Sequence, residues 1–355
     1  MPHKDFLMKK LLYSLLLCVP ALHGFSSESP LKTQSESIFI IAGSDFQAKT
    51  PEAGAGNVSR ILEKIRSHTK FDADRVLFCG DYTVQLRNLP KDSEDGIRAL
   101  RKTLSSAQLG IVDNEILLVQ GNHDPVGTRG LATSGAQDPD HNRYGVFVIN
   151  EDDFMWMQSR RKTDGNDDLS DDESTVLETA KKLSIYLDKK YAEHPETPIF
   201  VLSHLPLHYS MRTRRDGDGC FAKHIFDVLN RCGTRSQKLI FLYGHNHSNG
   251  WDDHLGGAVV FLPPGEKMDI AVPENRKQHT QEEIAFTYMN AGYTGYYTTP
   301  NTISDARRSL SMSVFELTDN GRIIVRRFSH EGIFFEHEIG PGNKPEEANL
   351  PARKN

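Results

Sequence analysis

Five short apolar runs, each passing directly into a polar cluster, constrain this chain more than any other feature. Ile38-Phe39-Ile40-Ile41-Ala42 meets Gly43-Ser44-Asp45-Phe46-Gln47, and Arg75 to Cys79 meets Gly80-Asp81. Glu115 to Gln120 meets Gly121-Asn122-His123-Asp124, Ile199 to Leu202 meets Ser203-His204, and Lys238 to Tyr243 meets Gly244-His245-Asn246-His247. Apolar runs of this length without alternation read as strands buried on both faces, the habit of parallel sheets covered by helices. Helical spacing fills the gaps between them. Val58, Ile61, Leu62 and Ile65 mark one helix, with Asn57 as its expected N-cap, and Ile97, Leu100 and Leu104 mark a second. A third is expected through Leu177, Ala180, Leu183, Leu187 and Tyr191, ending at His194-Pro195. Strand, helix, strand, helix, strand is the alternation of an α/β sheet.

The later strands expected at Ala258 to Leu262, Ile284 to Met289, Met312 to Leu317 and Ile323 to Phe328 follow one another with little helix between them. The turn Asp319-Asn320-Gly321 joins the last two, and together they suggest a second, mixed or antiparallel sheet. Asp164 to Glu173 places six acids in ten residues; its glycine and glutamate positions do not match a calcium loop, so residues 160–175 read as a solvated acidic loop. Residues 36–335 form the expected domain, and 336–355 a polar tail. A chain of 355 residues buries a substantial core, and at 37% hydrophobic and 25% charged it is neither disordered nor a multi-span membrane protein. Forty-two bases against forty-eight acids leave no electrostatic footprint for wrapping nucleic acid, so no nucleic-acid partner is expected.

Three lysines between Lys4 and Lys10, the apolar run Leu11 to Val19 and the small residues Gly24 and Ser26 have the layout of a secretory signal peptide over residues 1–25. The run is too short to span a bilayer, so the expectation is a secreted or periplasmic protein with no stable membrane anchor. Removing residues 1–24 takes away three bases and one acid and moves the formal charge from −6 to −8. Cys79, Cys220 and Cys232 then remain; Cys79 reads as a buried thiol, and pairing of the other two is left open.

The five strand ends carry carboxylates, imidazoles and amides and no thiolate. Ligand sites of open α/β sheets form at strand C-termini, and this mixed nitrogen and oxygen set suits zinc, manganese or iron(II). Two neighbouring divalent cations need a shared anion, for which Asp81 at its glycine turn is the natural candidate. His245 and His247 alternate around Asn246 and, in extended backbone, face one side.

In that order the motifs resemble the calcineurin-like metallophosphoesterase superfamily, most specifically through Gly121-Asn122-His123-Asp124 together with Gly244-His245-Asn246-His247. The resemblance implies a four-layer α/β/β/α sandwich, two mixed sheets flanked by helices. It implies two divalent metal ions (Mn, Zn or Fe): Asp45 and His247 on the first, Asp81 bridging, and Asn122, His204 and His245 on the second. His123 would protonate the leaving oxygen, Asp124 would position it, and a metal-bound hydroxide would attack phosphorus in a small-molecule phosphoester. A nucleotide or phospholipid-headgroup diesterase is the alternative reaction. One position departs from the pattern, because Gln47 stands where the family has histidine; Gln47 is expected as a weaker metal ligand or one acting through water, and a catalytically impaired metal-binding protein is the alternative it raises. His208, Arg212, Arg214 and Arg215 form a basic cluster beside His204 that is either a phosphate clamp or a solvated loop, and Trp251 and Tyr293 to Tyr297 are either a pocket floor or packing.

Overall fold

The computed structural model describes residues 37–83, 89–139, 142–154, 170–208, 221–236, 238–245, 261–272, 275–295 and 310–340. The chain separates into Met1–Glu36 and a unit Ser37–Asn355, and the fold is that of the second. In chain order its strands are β1 (Ile38–Gly43), β2 (Arg75–Cys79), β3 (Ile116–Val119), β4 (Gly135–Ala136), β5 (Gly145–Ile149), β6 (Ile199–Ser203), β7 (Leu239–Tyr243) and β8 (Phe261–Leu262). There follow β9 (Lys267–Val272), β10 (Asn275–Glu283), β11 (Thr287–Asn290), β12 (Gly292–Tyr293), β13 (Ser311–Leu317), β14 (Ile323–Ser329) and β15 (Gly332–Ile339). The helices are α1 (Pro51–His68), α2 (Pro90–Ser105), α3 (Glu151–Phe154), α4 (Ser170–Glu193) and α5 (Ala222–Gly233).

Two mixed sheets result. The first runs β15-β14-β13-β1-β2-β3, with β12 also on β13; β1, β2 and β3 are parallel and β13 to β15 antiparallel. The second runs β4-β5-β6-β7-β11-β8, its four central strands parallel and both edges antiparallel. Successive strand residues point to opposite faces, and here each face has its own apolar layer. Ile40, Leu77 and Cys79 meet Val146, Phe200, Leu202, Ile240 and Leu242 between the sheets. Ile41, Val76 and Phe78 turn outward onto Val58, Ile61 and Ile65 of α1 and Leu100 and Leu104 of α2. Phe147, Val201 and Phe241 turn the other way onto Leu183 and Leu187 of α4 and Ile225 and Leu229 of α5. Three apolar layers separate four structural layers, so helices sandwich two facing sheets, and the expected α/β/β/α architecture is the one found.

Several local expectations are corrected. α1 begins at Pro51, where Thr50 caps it by accepting from the Ala53 N–H at 3.2 Å; Asn57 lies inside the helix, buried. Thr-Pro with Glu52 is a stronger helix start than an asparagine followed by valine. On α4 the buried face runs through Val176, and Leu177 is exposed. Ser170 to Glu173 of the acidic stretch form the first turn of α4. The later strands do not make a sheet of their own: β8 and β11 complete the second sheet, while β13 and β14 return to β1 in the first. Both sheets offer an open edge to an apolar strand, and the apolar pattern does not say which edge is taken. β15 carries the first sheet through Ile339, past the residue 335 boundary expected for the domain. β10 has no apolar pattern to reveal it; its ladder with β9 alone makes it a strand. Among the described residues, no helix is long and apolar enough to cross a membrane.

Candidate metal centre

The strand ends converge where the two sheets meet. Asp45, Asp81 and His245 all adopt left-handed backbone, with φ of 52, 61 and 67°. Among the described residues only one other non-glycine, Gln108, does so. Each such residue carries strain of order 1–3 kcal/mol, which persists only where the surroundings fix it. Here the strain swings three side chains off their strands into one crevice. Phe46 alternates the other way into the helix-side core, leaving Asp45 and Gln47 buried on the site side.

The contacts between them are direct. Asp45, Asp81 and His204 each offer a ligand atom, and these atoms all lie within 4.8 Å of one another. Asp81 Oδ2 lies 3.3 Å from His204 Nε2 and accepts from Gln47 Nε2 at 2.5 Å, while Asp81 Oδ1 accepts the His123 backbone N–H at 2.9 Å. Asn122 Oδ1 lies 2.9 Å from both His204 Nε2 and His245 Nδ1, and those two ring nitrogens are 3.3 Å apart. His204 Nδ1 is 2.8 Å from the Cys79 carbonyl, which can only accept, so Nδ1 carries a proton and Nε2 faces the carboxylate and amide oxygens. That second hydrogen bond fixes tautomer and ring orientation as metal-bound histidines require.

Electrostatics follow from burial. Loss of solvent alone would raise the Asp81 carboxyl, but the His204 and His123 rings overturn this and hold it well below the usual carboxylate range. Burial would lower His204, yet the Asp81 charge lifts it to about 10. The crevice thus stabilises a positive charge beside Asp81, and a proton and a divalent cation compete for the same nitrogen. Burial pushes the free thiol of Cys79 up strongly and raises that of Cys232; Cys220 lies outside the described residues.

Asp124 ties two turns together. Its carboxylate accepts the backbone N–H groups of Asp81 (2.8 Å), Tyr82 (2.9 Å) and Gly121 (2.9 Å), stapling the β2 turn to the β3 turn. It thereby fixes the backbone turn that carries His123. Burial raises its carboxyl to about 7, with the Asp81 charge adding to the effect. His123 is half-buried in the same turn. His208 belongs to packing: buried, its Nδ1 2.7 Å from the Tyr288 hydroxyl and its ring edge-on to Tyr243. His247, Arg212, Arg214, Arg215, Trp251, Tyr296 and Tyr297 lie outside the described residues.

Three supporting residues escaped sequence reasoning. Ser44 Oγ donates to Asp45 Oδ2 at 2.6 Å and also contacts the Gly292 carbonyl. Thr294 donates from both its backbone N–H and its hydroxyl to the Ser44 carbonyl, each at 3.0 Å. Asn57 Nδ2 in turn donates to the Thr294 carbonyl at 3.2 Å. Helix α1 and the segment after β12 therefore brace the aspartate, across separations that carry no local signal.

A family model for calcineurin-like phosphoesterase matches residues 40–249, more than half of the chain and all five strand ends. The chain belongs to that family. No curated protein matches it closely enough to add to this. As a calcineurin-like phosphoesterase it is a metal-dependent hydrolase of phosphoesters, and Asp45, Asp81 and His204 form its candidate metal-ligand group.

The phosphoesterase turn at Gly80 has φ of 84°, and a Cβ there would overlap the His204 ring. Gly80→Ala is expected to destabilise the protein by roughly 1–2 kcal/mol from backbone alone. Displacing His204 should further weaken divalent-cation affinity on the order of 10–100-fold. Gly56→Ala, where a Cβ meets open space, is the control; equal melting temperatures and cation affinities for the two variants would refute the close approach.

Proposed function

We propose that this chain hydrolyses a phosphate ester of a small molecule at a centre of two divalent cations, with His123 as general acid. The single observation that carries the reading is the convergence of Asp45, Asp81 and His204 donor atoms at three strand ends far apart in sequence. The donor set fits cations: two carboxylates, a histidine whose Nε2 is aimed inward, an amide oxygen shared by two imidazoles, and a buried Gln47 Oε1 that has no partner among the described residues. Asp45, Gln47 and His247 would hold one cation, Asn122, His204 and His245 the other, and Asp81 would serve both. Divalent cations bound there supply Lewis acidity, lowering the pKa of water and neutralising charge on phosphoryl oxygens.

The protein's own residues do the rest. Asp124 fixes the backbone of both turns, and the His123 N–H bond to Asp81 Oδ1 holds His123 at the edge of the ligand cluster. Half-buried His123 would deliver a proton to the departing oxygen, a contribution of roughly 10²–10⁴ in rate. The charged, apolar and small-residue pattern of residues 4–26 supports export through a signal peptide.

A panel of aryl phosphate monoesters and diesters, assayed with manganese, zinc or iron(II), tests the reading. Turnover that chelator removes and cation restores is the expected result; a protein that takes up no cation and turns over no ester is not this enzyme. Faster diester than monoester turnover would select the diesterase alternative.

A further inference from the structure

Gln47 is wholly buried, and its amide is satisfied on one side only. Nε2 donates to Asp81 Oδ2 at 2.5 Å, while Oε1 has no hydrogen-bond partner among the described residues. A buried carbonyl left unpaired is costly, and the described groups around it offer little relief. Asp45 and Asp81 present acceptors, His204 Nδ1 is committed to the Cys79 carbonyl, and His204 Nε2 faces Asp81 and Asn122. An electropositive partner that is not a side-chain N–H answers this arrangement, and a divalent cation is such a partner.

Resting on the phosphoesterase reading, we infer that Gln47 holds a cation through Oε1 while Nε2 anchors Asp81, and that this makes the two cation positions unequal. The position served by Asp45 and Gln47 gains a neutral carbonyl oxygen where an imidazole would bind borderline metals more tightly. Carbonyl and carboxylate donors favour manganese or magnesium, and imidazole favours zinc and iron. The Nε2 bond also draws electron density from the Asp81 oxygen that the centre shares. The position served by His204, His245 and Asn122 has two imidazoles and keeps its cation. The enzyme thus carries one resident cation and exchanges the other with solution, so its state of loading follows the free manganese or magnesium concentration.

Metal content per chain after exhaustive dialysis, followed by calorimetric titration with Mn²⁺, tests this on the full-length protein without reference to turnover. Wild type should retain one cation and bind a second Mn²⁺ at least about tenfold more weakly, in the range by which supporting residues tune metal affinity. Gln47→His and Gln47→Glu should each retain two cations after dialysis, and Gln47→Leu should keep the resident cation and lose the weak one. Two cations retained by wild type, or unchanged stoichiometry in both Gln47→His and Gln47→Glu, would overturn the inference. If ester turnover persists in that case the phosphoesterase reading survives, whereas a wild-type protein that binds no cation at any concentration ends both. Melting curves identify a Gln47→Leu protein that has lost its fold, and the histidine and glutamate variants then decide.

Discussion

Asp81→Asn should strip the protein of both cations and lower phosphoester turnover by at least about 10³-fold, equivalent to roughly 4 kcal/mol of Lewis-acid stabilisation. Asp81 touches both sides of the ligand cluster, with Gln47 Nε2 at 2.5 Å and His204 Nε2 at 3.3 Å on the same oxygen. On the proposed reading, removing its charge would remove the anion that two cations share. The fold should persist, because asparagine keeps the shape and can still offer Oδ1 to the His123 backbone N–H. Metal content and a melting curve taken on the same preparation separate the outcomes. A variant that melts near wild type without cations supports the shared-ligand role; either cation retained at full occupancy refutes it.

His123→Ala should bind cations as the wild type does and lower turnover by roughly 10²–10⁴-fold. The side chain lies beside the ligands without belonging to the cluster of Asp45, Asp81 and His204, and its backbone bond to Asp81 survives truncation. The diagnostic measurement is the dependence on leaving group. An alkoxide needs a proton as it departs, whereas a nitrophenolate leaves without one, so the loss should be large for alkyl phosphates and small for p-nitrophenyl phosphate. Equal losses across the series would mean that His123 binds substrate instead of delivering a proton.

Much of the site was legible because its chemistry sits at the ends of locally recognisable strands. A glycine after an apolar run marks where a strand stops, and the donor that follows is fixed by chain connectivity. Asp45, Asp81, Asn122, His204 and His245 were found that way, and the structure brings all five together. The sequence does not reveal that the Asp124 carboxylate accepts three backbone N–H groups from two turns, because those partners are set by how the turns meet. Thr294 left no trace, since a threonine some 250 residues from Ser44 reads as any other polar residue. The split of the later strands between two sheets was equally hidden, because an apolar strand fits either open edge.

What the sequence determined by itself is the inventory and order of the donors and the α/β class, since side-chain chemistry, helical period and strand length are local properties. What only the tertiary structure decided is partnership: that His204 Nδ1 meets the Cys79 carbonyl, that Gln47 turns its amide nitrogen to Asp81, and that Asn57 braces Asp45 through Thr294 and Ser44. Those pairings depend on how two sheets stack and how strained turns aim their side chains, and no local period encodes the choice among distant partners.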